Sequence, residues 1–435
     1  MIKDFSTKFK VLPKKITFIG GGYVGLVSAV CFAKMGHSVS VVETNFAKAE
    51  KIRSGVAPFF ENDLQENLTE LVLTNKFKVF SELSLALGEH PDFVFLCVGT
   101  PSKEDGSADL SQVWSAVDSF CQSIQRDCIF VCKSTVPVGL SRQIMNKING
   151  EMSQKSGSLK IGFAFVPEFL REGSAISDFF GSDRVVVGLD DVRVEEEIKL
   201  LHAPILERGA QFFSMNFESA ELVKLTSNAM LALRVGLINQ VSNLAKCFGA
   251  DIDRISQAVG ADHRIGPHFL QAGPGFGGSC LPKDLASLVK VCRQAGCSAS
   301  IVQAVLDANF EQRQICLNRI LNKFESVVDK KIGIFGLAFK SGTDDLRSSP
   351  ALWLAVELTR LGAQILAFDR HVCQAQLDEL AKLMGDQIYS KIALSRDINQ
   401  FLAQEFLVVV HKTDFLETTQ HNALIKEKNE KIFIL

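Results

Sequence analysis

Residues 16–25 read Ile-Thr-Phe-Ile-Gly-Gly-Gly-Tyr-Val-Gly. A β-branched and aromatic run ends in Gly20, Gly22 and Gly25, spaced G-x-G-x-x-G, and an apolar stretch, Leu26–Met35, follows with helical spacing. Strand, glycine turn and helix in that order make a dinucleotide loop. The glycines permit a tight turn and close approach of the backbone to a pyrophosphate, and the helix N-terminus offers free N–H groups at the positive end of its dipole. Glu43 ends the next predicted strand, about 20 residues on, where a carboxylate binds the ribose hydroxyls of NAD and repels the 2′-phosphate of NADP. The loop predicts NAD as cofactor, held by Gly20, Gly22, Tyr23, Val24, Gly25 and Glu43. Lys48 either reaches the adenosine side or is a surface lysine.

Outward from this loop, short β-branched runs alternate with helical patterns over roughly 14–210. Strands are predicted at Ile16–Gly20, Val39–Glu43, Phe93–Val98, Cys128–Lys133, Ile161–Val166 and Arg184–Gly188, which argues for a doubly wound parallel sheet. Strand signals then become few. Glu218 to about Phe248 is apolar-periodic and free of proline, although Gly236 interrupts it, and reads as one long helix. Helices of that length often pack against a twin, so a homodimer or larger homo-oligomer is expected. From about 328 the α/β pattern resumes with KKIGIFGLAF, a helix near 350–361, AQILAFD and Phe406–Val410; the charged run at 425–431 reads as a solvated face before a last strand. The expected fold is α/β: two Rossmann-like doubly wound parallel-sheet domains joined by a central helical region. The boundaries are placed at 1–210 for the NAD-binding domain, 211–325 for the helical domain with the dimer helix, and 326–435 for the C-terminal domain.

Composition excludes several classes. The 435 residues are 47% hydrophobic and 22% charged, as in an ordinary globular protein, so a disordered or collagen-like chain is excluded. Lys plus Arg numbers 47 and Asp plus Glu 49, a net charge of −2, which gives no overall field toward nucleic acid or an anionic membrane. No apolar run reaches the length of a membrane span, and the opening MIKDFSTKFKVLPKK lacks a signal peptide's apolar stretch. The eleven cysteines are odd in number and scattered, which suits free thiols in a reducing, cytoplasmic setting. Cys292 and Cys297 lack a second ligand pair, so no metal is expected.

A second signal is Gly273-Pro-Gly-Phe-Gly-Gly-Ser-Cys-Leu-Pro-Lys-Asp284. Glycines let a backbone touch a ligand. With Leu281 onward as a helix and Pro282 in its first turn, Cys280 sits at a helix N-terminus, the setting that turns a thiol into a nucleophile, with Asp284 one turn away. Lys224 and Asn228 stand four apart on the long helix and so share a face. A lysine in an apolar stripe is either a snorkelling surface residue or an oxyanion stabiliser.

GGGYVG (20–25), CVGTPSKEDGSADLS (97–111), KSTVPVG (133–139), PEFLREGSA (167–175), AELVKLTSNAMLA (220–232), RIGPHFL (264–270), PGFGGSCLPKD (274–284) and GLAFKSGTDDLR (336–347) together resemble the nucleotide-sugar dehydrogenase family. The resemblance covers nearly the whole chain. It implies a four-electron oxidation, in which the 6-hydroxymethyl of a nucleotide-linked hexose becomes a carboxylate at the expense of two NAD, through a thiohemiacetal and then a thioester on Cys280. It further implies oxyanion stabilisation by Lys224 and Asn228, with Asp284 working beside Lys224 around a water, and water positioned or deprotonated by Thr135 and Glu168. Phe169, Leu170, Arg171, Arg264, Phe269 and the backbone of Gly275, Phe276 and Gly277 would line the sugar and nucleotide pocket, Arg264 reaching it from a second copy of the chain. Glu168, Glu172, Lys224 and Asn228 fall in that pocket too. Phe339 and Lys340 would contact the nucleotide diphosphate. Val98, Gly99, Thr100, Pro101, Ser134, Thr135, Glu172 and Arg347 would contact NAD.

The chain departs from the family pattern at several points. Glu43 stands for the usual Asp, Val166 for Asn, Gln240 for Glu and Ser348 for Glu; FFENDL (59–64) keeps Glu61 without the usual Pro-Gly; and HKTDF (411–415) diverges most. These departures bear on nucleotide and sugar identity and leave the chemistry intact. The motifs favour UDP-glucose as substrate, then GDP-mannose, then UDP-N-acetylhexosamines. A two-electron hydroxy-acid dehydrogenase would not need Cys280, and a non-catalytic binder would not need the set Cys280, Lys224, Asn228, Asp284, Thr135 and Glu168.

Overall fold

The computed structural model describes residues 12–103, 105–155, 159–419 and 431–435; the chain's first eleven residues and the charged stretch at 425–430 lie outside them. The chain divides into two compact units, Met1–Thr226 and Ser227–Leu435. Among the described residues no helix is long and apolar enough to cross a membrane.

In the first unit, β1 (Lys15–Ile19), β2 (Ser38–Val42), β3 (Phe77–Phe80), β4 (Phe93–Leu96), β5 (Cys128–Cys132), β6 (Ile161–Phe165), β7 (Arg184–Gly188) and β8 (Gln211–Met215) form one sheet in the order β3-β2-β1-β4-β5-β6-β7-β8. Strands β1 to β6 are parallel, as expected of a doubly wound sheet. β7 meets β6 antiparallel through Phe165 and Gly188 and runs parallel to β8. The strand order reverses at β1, whose neighbours are β2 and β4, and the crevice at such a switch point is where α/β sheets bind ligands. Phe18 of β1 stands opposite Phe95 of β4, and their rings stack at 4.9 Å between centroids. Helix α1 (Tyr23–Lys34) is buried continuously from Gly25 to Ala33, which its apolar, small-residue sequence permits on every side.

A 31-residue helix, α2 (Phe217–Cys247), ends the first unit and begins the second. It starts one residue before the expected position and ends one residue earlier. In the second unit it is followed by α3 (Ile252–Gly260), α4 (Leu281–Gln294) and α5 (Ser300–Phe324), the expected central helical region. Then β9 (Lys331–Phe335), β10 (Gln364–Phe368), β11 (Ala393–Ser395), β12 (Phe406–Val409) and β13 (Ile432–Ile434) build a parallel sheet in the order β11-β10-β9-β12-β13, again reversing at its first strand. Phe335, Phe368, Phe401 and Phe415 pack on one face of it. Helix α6 (Pro350–Arg360) starts on Ser349, whose hydroxyl accepts from the Leu352 amide at 3.1 Å, with proline in the first turn. The expected strands recur within one or two residues of their expected limits except in KKIGIFGLAF, where β9 stops at Phe335, four residues before the end of that stretch; β3, β8 and β11 were not signalled by periodicity.

Two histidines are sealed in the first unit. His37 Nδ1 accepts from the Lys14 amide at 3.1 Å, and the His202 ring meets Phe32 edge-on at 5.5 Å. Burial lowers both to about 4, and the Lys14 ammonium adds to the effect at His37. Both rings are therefore neutral in the folded chain, while the unfolded chain takes up their protons near pH 6.5. Their stabilisation is complete above that pH and is lost as pH falls from about 6.5 to about 4, at up to about 1.4 kcal/mol per pH unit for each ring. The two tryptophans, Trp114 and Trp353, lie in different units, so urea titrations of a Trp353→Phe protein follow Trp114 and the first unit. Adding His202→Leu is expected to flatten the acid-side slope of that unit's stability by one proton's worth. An unchanged slope would mean that His202 is not buried neutral.

Candidate active site

Backbone contact dominates at the β1–α1 turn. Gly20 has φ +105°, and a Cβ there would lie 2.7 Å from the Cys97 carbonyl oxygen; a Cβ on Gly25 would lie 1.9 Å from the Gly20 oxygen. Gly22 is different: a Cβ on it would meet nothing within 4 Å, and as the first cap of α1 it places no side chain over the free amides. The turn is thus tight where the protein packs on itself and open where a phosphate would approach, which fits a dinucleotide. Glu43 is buried, with its carboxylate beside Gly21; it accepts from the Asn45 amide at 2.9 Å and pairs with Lys48 at 3.0 Å. Lys48 is thereby placed at the loop through Glu43. After β4 and β5, the Thr100 hydroxyl donates to the Thr135 carbonyl at 2.8 Å and the Ser134 hydroxyl to the Val98 carbonyl at 2.7 Å, so the segments Val98–Pro101 and Ser134–Thr135 are latched to each other at the same end of the sheet.

Glu168 lies at the centre of a second cluster in the first unit. Its carboxylate accepts from the amides of Phe169 (2.7 Å) and Leu170 (3.1 Å) and pairs with Lys133 at 2.7 Å, both side chains being shielded from solvent. The Lys224 ammonium donates to the Glu168 carbonyl and stands 5.2 Å from the Phe169 ring centroid, while Arg184 covers that ring at 4.2 Å. Lys224 is thus a buried, directed cation. Arg171 makes a fork to Asp178, with contacts of 2.9 and 2.6 Å. Glu61, buried, holds the rest of this loop: it accepts from the amides of Gly173 (2.6 Å) and Ala175 (2.8 Å) and from the Tyr23 hydroxyl. Burial and then the Glu61 carboxylate push the Tyr23 hydroxyl far up, so it stays a donor. Glu172 lies in the same loop, half-buried.

The second unit holds the thiol. Cys280 is exposed and is the N-cap residue of α4, with Pro282 in the first turn and Asp284 buried one turn on. Asn228 Nδ2 donates to Asp284 Oδ2 at 2.6 Å, and Lys283 pairs with the other carboxylate oxygen. By contrast, burial pushes the thiols of Cys97 and Cys128 up to about 12, which leaves them inert. Gly275 and Gly278 take φ +114° and +82°. The Phe276 side chain is buried among Ala232, Leu285 and Val305. Phe339 lies against this loop, since a Cβ on Gly278 would come within 3.0 Å of its ring, and the Lys340 ammonium is 5.8 Å from the same ring. Arg347 makes a fork to Asp345. Arg264 is exposed and forks to Asp262, and Phe269 takes φ +60°, unusual for an aromatic residue.

Reading the sequence alone missed Lys133, Glu61 and Lys283 as partners of the predicted residues. All three stood inside stretches already quoted, and for Lys133 and Glu61 a charged residue amid apolar neighbours was the available signal.

Three family models match the chain in order: the NAD binding domain of the UDP-glucose/GDP-mannose dehydrogenase family over residues 14–206, its central domain over 218–311 and its UDP binding domain over 333–433. The chain is 38% identical over 355 residues to the UDP-glucose 6-dehydrogenase of Rickettsia bellii, covering 81% of this chain and 80% of that protein. It is 36% identical over 356 residues to the Pseudomonas aeruginosa UDP-glucose 6-dehydrogenase, covering 82% and 78%. A solved UDP-glucose dehydrogenase from Pyrobaculum islandicum matches with a TM-score of 0.83 at 32% identity, over 92% of this chain and 90% of that one.

Glu61→Gln retains one acceptor oxygen and turns an N–H toward donors, at a cost of about 1–3 kcal/mol. The loop at 171–175 is then expected to open, with trypsin cleaving after Arg171 about tenfold faster than in the parent. An unchanged cleavage rate would mean that Glu61 does not hold the loop.

Proposed function

Because the chain belongs to the UDP-glucose/GDP-mannose dehydrogenase family, we propose that it oxidises UDP-glucose to UDP-glucuronate in two NAD-dependent steps joined by a covalent intermediate on Cys280. The observation that carries this reading is an exposed thiol capping a 14-residue helix, one turn from a buried Asp284–Asn228 pair. The identities of 36–38% to UDP-glucose 6-dehydrogenases favour the glucose substrate over GDP-mannose.

Bound at the Gly20–Gly25 turn with Glu43 on its ribose, NAD supplies the hydride acceptor for both oxidations. The remaining work is assigned to the chain's own residues. As the C6 alcohol loses a hydride and a proton to become an aldehyde, Lys224 and Asn228 stabilise the negative charge on the C6 oxygen. The Cys280 sulfur adds to the aldehyde carbon; the C–S bond forms and the carbonyl π bond becomes the hydroxyl of a thiohemiacetal. Loss of a second hydride and the hydroxyl proton leaves a thioester. Water, positioned by Thr135 and Glu168 with Asp284 beside Lys224, adds to the thioester; the C–S bond breaks, and carboxylate, thiol and a proton result. The Lys133–Glu168 ion pair, which holds the carboxylate in place, supports this role.

The same reading assigns NAD binding to 1–210, dimerisation and the thiol to 211–325, and nucleotide-sugar binding to 326–435, with Phe169, Leu170, Arg171, Arg264, Phe269, Phe339 and Lys340 around the substrate. Met230, Leu237 and Leu244, seven residues apart on α2, are exposed apolar side chains, which supports a twin helix and hence a homodimer. A cytoplasmic enzyme is proposed, in keeping with its many free thiols.

Purified protein with UDP-glucose and NAD is expected to form two NADH per sugar, and Cys280→Ala to form no uronate while still binding NAD. One NADH per sugar, or near-normal uronate formation by Cys280→Ala, would overturn the covalent four-electron route.

A further inference from the structure

One face of α5 grips the loop that precedes Cys280. Asn309, Gln312 and Arg313 stand at i, i+3 and i+4, so their side chains project together. Asn309 is buried and bonds both backbone groups of Phe276: Oδ1 accepts from the amide at 2.7 Å and Nδ2 donates to the carbonyl at 3.0 Å. Gln312, also buried, donates to the Gly273 carbonyl at 2.7 Å. Arg313 Nη2 donates to the Phe276 carbonyl at 3.1 Å and to the Ser348 carbonyl at 3.0 Å. From α2, Asn239 Oδ1 accepts the Gly273 amide at 2.8 Å. Glycine is required beneath the grip, since a Cβ on Gly275 would lie 2.6 Å from Asn309 Oδ1 and one on Gly277 2.4 Å from the Ser348 oxygen. The loop is also stitched to the segment leading into α6, because the Gly278 amide donates to the Arg347 carbonyl at 2.9 Å and Ser348 takes φ +51°.

Such a loop has little else to define it. It is short of side chains, carries positive φ at two residues and would otherwise leave buried amides and carbonyls unsatisfied. We propose that Asn309, Gln312 and Arg313 are positioning residues, which fix the backbone of residues 273–278 and thereby hold the Cys280 thiol at the start of α4. The inference rests on the reading of Cys280 as nucleophile. It goes beyond that reading in naming what holds the sulfur in place and in tying that position to residues 347–348. Arg313 spans two carbonyls through the two N–H groups of Nη2, held in the guanidinium plane; lysine carries the same charge on a rotating ammonium without that plane. A nucleophile misplaced by about 1 Å loses about a hundredfold in rate, so a loosened loop registers in the covalent step rather than in cofactor binding.

The test compares Asn309→Ala, Arg313→Lys and Gln312→Met with the parent. Two readouts are taken: alkylation of Cys280 by iodoacetamide, followed by mass spectrometry of its peptide, and steady-state kinetics with UDP-glucose and NAD. Asn309→Ala is expected to lower kcat at least tenfold with KM for NAD within twofold of the parent, and to slow Cys280 alkylation at least threefold, as the thiol leaves the helix N-terminus. Arg313→Lys follows in the same direction with a smaller effect. If Asn309→Ala does not fold, Gln312→Met, which keeps the side-chain volume but loses the bonds to the Gly273 carbonyl and the Cys316 sulfur and the one accepted from Asn243, decides by the same two readouts. Parent-like kcat and alkylation in the folded variants would overturn the positioning role. Should the parent form no NADH from UDP-glucose, the substrate assignment fails, and alkylation alone decides the positioning role.

Discussion

Close approach of one backbone to another is the constraint on which both loops depend. At the β1–α1 turn a single methyl on Gly25 would sit 1.9 Å from the Gly20 oxygen, and in the thiol loop one on Gly277 would sit 2.4 Å from the Ser348 oxygen. These glycines let two backbone segments pass in direct contact while the flanking strand or helix stays packed. The two loops differ in how they are held. The first is held by the sheet itself, since the Gly20 amide donates to the Val42 carbonyl at 2.9 Å. The second is held by amide and guanidinium side chains from α5 and α2 and by the bond from the Gly278 amide to the Arg347 carbonyl.

Buried charge is managed the same way in the first unit. Glu61, Glu168 and Glu221 are each shielded, and each accepts two backbone amides. A carboxylate so placed exchanges water for fixed donors and organises a turn that has no regular ladder of its own. Glu221, whose acidity burial weakens, anchors the start of α2 to the Gly139–Ser141 turn at 2.5 and 2.9 Å. Glu168 adds an ion pair with Lys133 at 2.7 Å to this pattern.

Legibility differed among the elements for physical reasons. β1, β2 and β4 to β7 could be read because buried parallel strands are near-continuous apolar runs bounded by turn residues. β3, β8 and β11 lie at sheet edges; FKVF, QFFSM and ALS are short, and β8 is largely exposed, so they carry little pattern. The antiparallel junction of β6 and β7 was not foreseen, because strand direction is set by the path of the connection and leaves no mark on local periodicity.

By itself, then, the sequence determined the α/β class, the long helix, the cofactor turn and the place of Cys280 at a helix start, all of which follow from local periodicity and turn residues. Tertiary structure alone decided which polar groups meet. Lys133 finds Glu168, Glu61 finds Gly173 and Ala175, and Asn309 finds Phe276, at separations of 33 to 114 residues along the chain. Spacing cannot encode such partners. Each is chosen when folding removes water from a polar group and only one geometry offers it a replacement.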